Sequence, residues 1–340
     1  MFFTSDDLMP AVPALSYLVA GFVGAVILVY FVLRSVHGWK LLAGTTGAGF
    51  RTSGTPTSGG IDFAIPVVVY LSLLAGDELV VAGGLLVACA VLIAVTLWDD
   101  FRPLNGSIRL GGQIVAVVAL TWSLQISHTE LHWHWLFTSG VGAAMLWQVS
   151  SFHIIDELDG FTAVQGLLFC VGVQVLTLGI PGWVGELTWL LAGTVLGILI
   201  YNWPPAKILM GNVGSSLLGL LLAFLSVQLW RSGQLPLATC LILLCGFWFN
   251  AIYSLCVRML TIGSFSQAGR SHMFHRVAER KGQTWTLVAY AAFGICWLMP
   301  MAWLSLVYAQ LNILMLVLAA LPLGVAAKFV NAAIPAPDED

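Results

Sequence analysis

Charged residues are scarce in this chain. Asp, Glu, Lys and Arg make up 9% of its 340 residues, whereas a soluble domain carries roughly 25%. Hydrophobic residues make up 59%, and the mean hydropathy is +0.94. This shortage of charge excludes a fold solvated mainly by water, so we expect a lipid bilayer to surround most of the chain. With a net charge of −3, we expect no nucleic acid partner.

Three further features are missing. None of the six cysteines forms the Cys-x-x-Cys spacing of a zinc or redox site, and because all six lie in apolar runs we expect them to be buried. No internal repeat or low-complexity tract divides the chain, which predicts a single transmembrane domain over residues 1–340. No Lys or Arg precedes the first apolar run, so we expect that run to stay as a helix and not to be cleaved as a signal peptide.

Long apolar runs, in contrast, fill most of the chain. About 20 apolar residues are needed to cross the hydrocarbon core of a bilayer. The sequence therefore predicts an all-α, polytopic integral membrane protein with about eleven transmembrane helices. These helices are predicted near residues 13–33, 61–76, 79–98, 110–127, 135–153, 161–180, 184–201, 213–230, 236–259, 284–304 and 307–328.

Basic residues mark one side of the predicted membrane. With the N-terminus outside, the alternate loops that become cytoplasmic hold twelve of the thirteen Lys and Arg residues, and only Arg231 lies outside. Cytoplasmic loops carry such an excess of Lys and Arg. We therefore predict a multi-pass protein of the cell inner (plasma) membrane, with its C-terminus and its chemically active face in the cytoplasm.

A pair of carboxylates is predicted at that face. Asp99 and Asp100 close the third helix. Adjacent carboxylates share one proton or one divalent cation, and either arrangement provides a base near neutral pH. The alternative is an interfacial ion pair with Arg102 or Arg109.

A second polar group ends the fifth helix. Asp156 and Asp159 have the i, i+3 spacing that predicts a shared helix face, with His153 one turn back on the same face. Three polar groups that point one way at membrane depth favour a polar cavity over a lipid-facing surface.

The turn before the eighth helix is rich in glycine and carries Lys207, Gly211 and Gly214. Backbone N–H groups at the start of a helix suit a phosphate, and a lysine adds charge. The alternative is that such glycines only allow helices to pack closely. Gly193-x-x-x-Gly197 allows the same close approach, either within one chain or in a homodimer.

A cytoplasmic substrate loop is predicted over residues 260–283. Its centre contains Arg270, His272, His275 and Arg276. Guanidinium groups match phosphate oxygens, which predicts an anion site; the alternative is a positive-inside signal. Carboxylates, a phosphate-type turn and an Arg/His loop on one face together predict chemistry on a phosphorylated cytosolic substrate, with a metal bridging carboxylates and phosphates.

The order of these motifs resembles the polyprenyl-phosphate N-acetylhexosamine-1-phosphate transferase family, particularly its bacterial branch for O-antigen and related surface glycans of lipopolysaccharide. The resemblance rests on residues 56–60, 99–100, 156–160, 204–215 and 270–272. It implies attack of polyprenyl (undecaprenyl) phosphate on the sugar-bearing phosphorus of a UDP-N-acetylhexosamine, with release of UMP. It also implies a requirement for magnesium, with manganese as an alternative.

The resemblance also implies roles for individual residues. Asp99 would be the base or the carboxylate that positions a phosphate, with Asp100 beside it, while Asp156 and Asp159 would line the nucleotide and metal site. His272 would complete the catalytic set. The implied substrate-binding residues are Thr57, Lys207, Gly211, Gly214, Ser215, Arg270, His275 and Arg276, and the implied metal-site residues are Asn212, Asp156 and His153.

Four positions depart from the family pattern: Asn212, His153, Asn250, where the related branch tends to have Asp, and Glu157, which replaces a usual Gly. The first two matter most. The family usually has Asp where this chain has Asn212 and Asn where it has His153, and both positions are associated with magnesium there. Loss of a carboxylate weakens the attraction for a hard cation, and imidazole suits softer metals. An active transferase with a rearranged metal site and an engineered Asp-to-Asn form both fit. A catalytically silent relative that binds polyprenyl phosphate or scaffolds a glycan-assembly complex fits as well.

Overall fold

The computed structural model describes residues 11–36, 55–57, 59–74, 79–102, 104–124, 134–156, 158–261, 272–330 and 332. Within these residues the regular structure is helical and contains no strand, which confirms the all-α prediction. The first eight helices are α1 (Ala11–Val36), α2 (Gly59–Leu73), α3 (Leu79–Phe101), α4 (Gly106–Ser123), α5 (His134–Ile155), α6 (Phe161–Leu176), α7 (Gly182–Asn202) and α8 (Gly211–Arg231). The others are α9 (Leu237–Leu243), α10 (Cys245–Thr261), α11 (Met273–Lys281), α12 (Gln283–Phe293), α13 (Met299–Val307) and α14 (Asn312–Phe329).

A helix occupies each of the eleven predicted apolar runs, but the helices differ in length. Among the described residues, six helices are long and apolar enough to cross a membrane, or seven if the bent pair α9 and α10 forms one span. Helices α2 and α6 have only 15 and 16 residues, fewer than the roughly 20 that a span needs. A polytopic membrane protein is therefore supported, while eleven crossings and the orientation of the termini stay predictions.

Helix α8 is the centre of the bundle. Nearly all of its residues are buried, and it packs against α2, α3 and α5. The outward faces of α1, α3 and α14 instead expose large apolar side chains such as Phe31, Val87 and Val317. Water does not solvate such a surface, and lipid does.

Helix α1 lies directly on α7, backbone against backbone. A Cβ atom on Gly193 would be 1.9 Å from the Leu18 carbonyl oxygen, and one on Gly21 would be 2.3 Å from the Leu190 carbonyl oxygen. Gly197 approaches Phe22 in the same way. The Gly193-x-x-x-Gly197 pair thus serves a contact within one chain. The homodimer stays a prediction, and these glycines do not support it.

The chain bends by 77° between α9 and α10. Such a break frees backbone carbonyl groups, which need partners where no water is available. The Trp248 indole N–H donates to the Leu241 carbonyl at 2.7 Å, and the Gln165 amide donates to the Leu243 carbonyl at 3.1 Å. These two side chains therefore satisfy carbonyl groups that the bend leaves without helical partners.

The cysteine prediction is only partly right. Four cysteines are buried, but Cys256 and Cys296 are exposed on the surfaces of their helices. Apolar runs in a membrane protein face lipid as well as the core, so an apolar run alone does not imply burial.

Candidate active site

Polar side chains from four helix ends meet at one end of the bundle. Asp99 and Asp100 lie in the last turn of α3, and Arg109 lies in the first turn of α4. His153 lies in the last turn of α5, and Asn212 lies in the first turn of α8. We call these five residues the acidic cluster.

Asp99 is the hub of the acidic cluster. Its carboxylate is buried, with 6% of the residue exposed. One oxygen accepts from the Leu104 backbone N–H at 2.7 Å. The other accepts from the Asn212 side-chain amide at 3.2 Å and lies 3.3 Å from the Arg109 guanidinium. Three donors therefore compensate the buried charge, which would otherwise be costly at this depth.

Asp100 is less enclosed than Asp99. It interacts with the side chain and the backbone N–H of Asn212, and electrostatically with Asp99 and Asp156. Asn212 thus donates to Asp99 and lies beside a second carboxylate. An aspartate at position 212 would instead add a third negative charge beside Asp99 and Asp100.

Arg109 also contacts His153. The Arg109 Nη1 atom lies 3.0 Å from His153 Nε2, and His153 Nδ1 lies 3.5 Å from the buried Ser216 hydroxyl. Arg109 was named from sequence only as an ion-pair alternative for Asp99. The ion pair exists, and it is part of this larger network.

The predicted metal residues have other partners in this arrangement. Asn212 turns its amide nitrogen, which cannot bind a cation, toward Asp99. His153 Nε2 faces a guanidinium. Among the described residues no group of three or more His, Cys, Asp or Glu side chains converges as a metal site. Carboxylates, the ligands that magnesium prefers, come from Asp100 and Asp156.

The expectation that His153, Asp156 and Asp159 share one helix face is wrong. Helix α5 ends at Ile155, and Asp156 and Asp159 lie in the turn that follows. The i, i+3 rule applies only inside a helix. Asp156 interacts with Asp100, whereas Asp159 accepts from the backbone N–H of Ala206 at 3.1 Å.

Asn202 joins the Asp159 turn to the chain before α8. Its side-chain oxygen accepts from the Gly160 N–H at 2.8 Å, and its amide donates to the Ile208 carbonyl at 2.8 Å. Gly160 has φ = 74°, a conformation that favours glycine. We missed Asn202 from sequence, although a lone amide at the end of an apolar helix is a usable signal.

The glycines before α8 are packed against another segment. Gly211 has φ = 68°, and a Cβ atom there would lie 2.4 Å from the Thr57 carbonyl oxygen. A Cβ on Gly214 would lie 3.0 Å from Gly60. Ser215 donates its hydroxyl proton to the Gly211 carbonyl at 2.9 Å. The packing alternative is thus realised here, and the phosphate role of Gly211, Gly214 and Ser215 stays a prediction.

Lys207 is exposed next to this packed turn. Its backbone N–H donates to the Tyr201 carbonyl at 2.8 Å, which holds the residue while its side chain points away from the core. Its role as a substrate-binding residue stays a prediction.

The predicted substrate loop contains a helix. Residues 273–281 form α11 within the span of 260–283, and Arg270 lies outside the described residues. His272 Nδ1 lies 2.9 Å from the Ser254 hydroxyl of α10, and the Asn250 side-chain oxygen accepts from the Met273 N–H at 3.2 Å. Helix α10 therefore anchors the start of α11.

Within α11, His275 is buried and Arg276 is half-buried. His275 Nδ1 lies 3.4 Å from the Glu279 carboxylate, one turn further along. The linear spacing of His275 and Arg276 did not reveal this carboxylate neighbour, and the substrate-binding role of both residues stays a prediction.

Aromatic rings connect α11 to the acidic cluster. Phe152, next to His153, packs on Phe247 with ring centroids 4.5 Å apart, and Phe247 stacks on Phe161 at 5.5 Å. Phe161 packs on Phe274 of α11 at 4.5 Å. This row of buried rings fixes the Arg/His helix relative to the end of α5, since aromatic contacts of this kind are tightly packed.

Asp62 is a carboxylate that sequence reasoning missed. It lies in the first turn of α2 and is fully buried. Neither of its oxygens has a hydrogen-bond partner among the described residues. A single acid in an apolar run was the available signal.

Comparison with known proteins gives consistent relatives. Residues 82–230 match the sequence model described as glycosyl transferase family 4. The phospho-N-acetylmuramoyl-pentapeptide-transferase of Moorella thermoacetica is 30% identical over 206 residues, which cover 54% of this chain and 64% of that protein. The enzyme of the same name from Levilactobacillus brevis is 32% identical over 213 residues, covering 53% of this chain and 63% of that protein.

A second type of relative is the decaprenyl-phosphate N-acetylglucosaminephosphotransferase of Mycobacterium tuberculosis. It is 29% identical over 237 residues, which cover 58% of this chain and 57% of that protein. The chain thus spans somewhat less than two thirds of the length of the curated relatives it matches. The matched residues 82–230 contain the whole acidic cluster.

Proposed function

Because residues 82–230 match the glycosyl transferase family 4 model and the relatives are sugar phosphotransferases, we propose that the protein transfers an N-acetylhexosamine-1-phosphate from a UDP-sugar to polyprenyl (undecaprenyl) phosphate. UMP is the leaving product, and the lipid-linked sugar initiates a surface glycan such as an O-antigen. The observation that supports this proposal best is the acidic cluster, which gathers carboxylates, a guanidinium and an amide from four helix ends.

The proposed reaction joins two anions. A lipid phosphate oxygen attacks the sugar-bearing phosphorus, a new P–O bond forms, and the bond to the oxygen of UMP breaks. The lipid phosphate is already an anion near neutral pH, so the site mainly needs to position the reactants and to neutralise charge. Fixed dipoles and charges in a water-poor site serve that purpose.

The two adjacent acids have different roles in this proposal. Both oxygens of Asp99 have donors, so Asp99 organises the cluster. Asp100 is more open and lies near Asp156. We therefore assign the contact with substrate to Asp100 and the fixing of Arg109 and Asn212 to Asp99.

Magnesium is the proposed cofactor, with manganese as an alternative. Magnesium is usually held by one or two carboxylates together with substrate phosphates, and not by an all-protein cage. Asp100 and Asp156 fit that requirement, whereas Asn212 and His153 face other partners. When bound, the cation would neutralise charge on the diphosphate.

Three further predicted residues are assigned to the substrate phosphates in this proposal. The exposed Lys207, together with His272 and Arg276 at the start of α11, would hold the sugar-phosphate and nucleotide phosphates. The packed turn of Thr57 and Gly211 would fix the geometry around them. We place this site on the cytoplasmic side of the inner membrane, where UDP-sugars are available.

A catalytically silent relative is the second candidate function. The observation that favours it is Asn212, which stabilises the carboxylates by donating hydrogen bonds and so lowers their need for a cation. Such a protein would still bind polyprenyl phosphate or a nucleotide, or scaffold a glycan-assembly complex.

The test is an exchange reaction in purified, detergent-solubilised protein. Labelled UMP and a polyprenyl-diphosphate N-acetylhexosamine should yield labelled UDP-sugar with magnesium or manganese. Asp100→Asn should abolish exchange, and Arg102→Gln, an exposed basic residue of the same loop, should not. No exchange with either metal, combined with intact UDP binding, would establish the silent relative instead.

A further inference from the structure

The contact between Arg109 and His153 defines which nitrogen of the imidazole carries the proton. A guanidinium has five N–H donors and no acceptor, so His153 Nε2, 3.0 Å from Arg109 Nη1, must accept the hydrogen bond. The ring proton then lies on Nδ1, which faces the buried Ser216 hydroxyl at 3.5 Å. The lone pair that would bind a metal through Nε2 is already engaged.

The same Arg109 nitrogen also lies 3.3 Å from the Asp99 carboxylate. Two acceptors from different helices therefore hold one nitrogen of the guanidinium, Nη1. The Arg109 side chain is 32% exposed, while the Asp99 side chain is only 4% exposed. The described residues offer no hydrogen-bond partner for Nη2 or Nε of Arg109. The edge formed by Nη2 and Nε therefore belongs to a side chain that is about one third exposed and has no described protein group to bind there.

A guanidinium edge in this setting is suited to a phosphate. It presents two parallel N–H groups in a rigid plane, and it stays charged at every accessible pH. A guanidinium held by two acceptors loses less side-chain entropy when it binds, because its orientation is already set.

We propose that Arg109 binds the diphosphate of the nucleotide-sugar and that His153 is a positioning residue for Arg109, not a metal ligand. This proposal rests on the proposed function for the identity of the ligand. In this proposal Asn212 and His153, the two departures from the family pattern, serve the same purpose. Each offers hydrogen-bonding to the Asp99–Arg109 pair at a position that the resemblance associates with the metal.

Two substitutions at His153 separate positioning from metal binding. The amide oxygen of a glutamine reaches the place of Nε2, so His153→Gln keeps the acceptor for Arg109. The shorter His153→Asn places its oxygen near Nδ1 and leaves Arg109 without this partner, although asparagine is the residue usual in the resembling family. Positioning predicts that glutamine preserves function, and metal binding predicts that asparagine does.

The measurement is UDP affinity by titration calorimetry at saturating magnesium. Loss of one charge-assisted contact corresponds to a weakening of about 10- to 100-fold, which we expect for Arg109→Gln. His153→Ala and His153→Asn should show most of that weakening of UDP binding, and His153→Gln should bind UDP like the wild type. The double variant Arg109→Gln/His153→Ala should bind no more weakly than Arg109→Gln alone, since His153 acts through Arg109.

Controls exclude a general loss of structure. Arg102→Gln removes an exposed basic residue from the same connection and should bind UDP like the wild type. If Arg109→Gln fails to fold because Asp99 loses its cation, Arg109→Lys keeps the charge but offers no planar fork, and it should fold and bind UDP more weakly.

Additive losses in the double variant, or preserved affinity in His153→Asn together with loss in His153→Gln, would overturn the proposal. Wild-type affinity in Arg109→Gln would do so as well. Absence of UMP exchange in the wild type refutes the transferase reaction alone, because the pattern of UDP affinities does not depend on turnover.

Discussion

Replacing Asn212 by Asp is the most informative single change in the acidic cluster. Asn212 donates to Asp99 at 3.2 Å and also interacts with Asp100. An aspartate would replace these donors by a third carboxylate. Two like charges about 4 Å apart repel by about 4 kcal/mol at the effective dielectric constant of a protein surface, and a lost hydrogen bond to a charged group adds about 1.5–3 kcal/mol.

Part of that repulsion is offset by Arg109, which lies 3.3 Å from Asp99, and part by relaxation of the side chains. We therefore expect Asn212→Asp to lower the free energy of unfolding by about 1–3 kcal/mol when no divalent cation is present. For a chain of this size that corresponds to a fall in melting temperature of roughly 1–4 °C. Magnesium should reverse the loss, because a third carboxylate strengthens the attraction for a hard cation.

The assay is a melting experiment on the detergent-solubilised protein with a chelator and with magnesium. Asn105→Asp is the matched control, since Asn105 precedes the first turn of α4 and is exposed. It adds the same charge at another helix N-terminus and should melt like the wild type in both conditions. Equal melting of Asn212→Asp and the wild type in chelator, with no larger shift on adding magnesium, would refute the geometry of the cluster.

Three further changes test the surrounding structure. Gly211→Ala should destabilise the protein by about 1–2 kcal/mol, because Gly211 has a positive φ and no space for a Cβ atom. The control is Gly106→Ala, where a Cβ atom meets open space; it should leave the melting temperature unchanged in the same assay. Asn202→Ala should lower the free energy of unfolding by about 2–4 kcal/mol, because two buried backbone groups lose their hydrogen-bond partners. An unchanged melting temperature would disprove the link that Asn202 makes between Gly160 and Ile208. Asp62→Leu keeps the branched shape of the side chain without its charge and should raise the free energy of unfolding by about 1–3 kcal/mol. If the variant also loses UMP exchange while its UDP affinity is unchanged, Asp62 has a role in the reaction.

The sequence predicted where the polar residues gather, because apolar runs and basic loops locate helix ends. Asp99, His153 and Asn212 were all predicted at one face, and their helix ends do meet. The choice of partners could not be predicted. Whether His153 faces a metal or Arg109 depends on the rotation of α4 relative to α5, and neither periodicity nor charge specifies that rotation.

Two other errors have local causes. The face shared by His153, Asp156 and Asp159 was inferred from helical spacing, yet α5 stops at Ile155. Helix α11 was read as part of a loop because its nine residues are mostly polar. A helix of only nine residues is marginal on its own, and this one is held by tertiary contacts through Asn250 and Ser254 that the sequence does not specify.

The backbone contact between α1 and α7 has a consequence for biosynthesis. Helix α1 ends at Val36 and its partner begins at Gly182. At about 5–20 residues per second, translation of the intervening chain takes roughly 7–30 s. Throughout that interval the Gly21 surface of α1 lacks the helix on which it packs in the finished fold. Helix α1 therefore reaches its final packing only after α7 has been made, and the central helix α8 follows α7 directly along the chain.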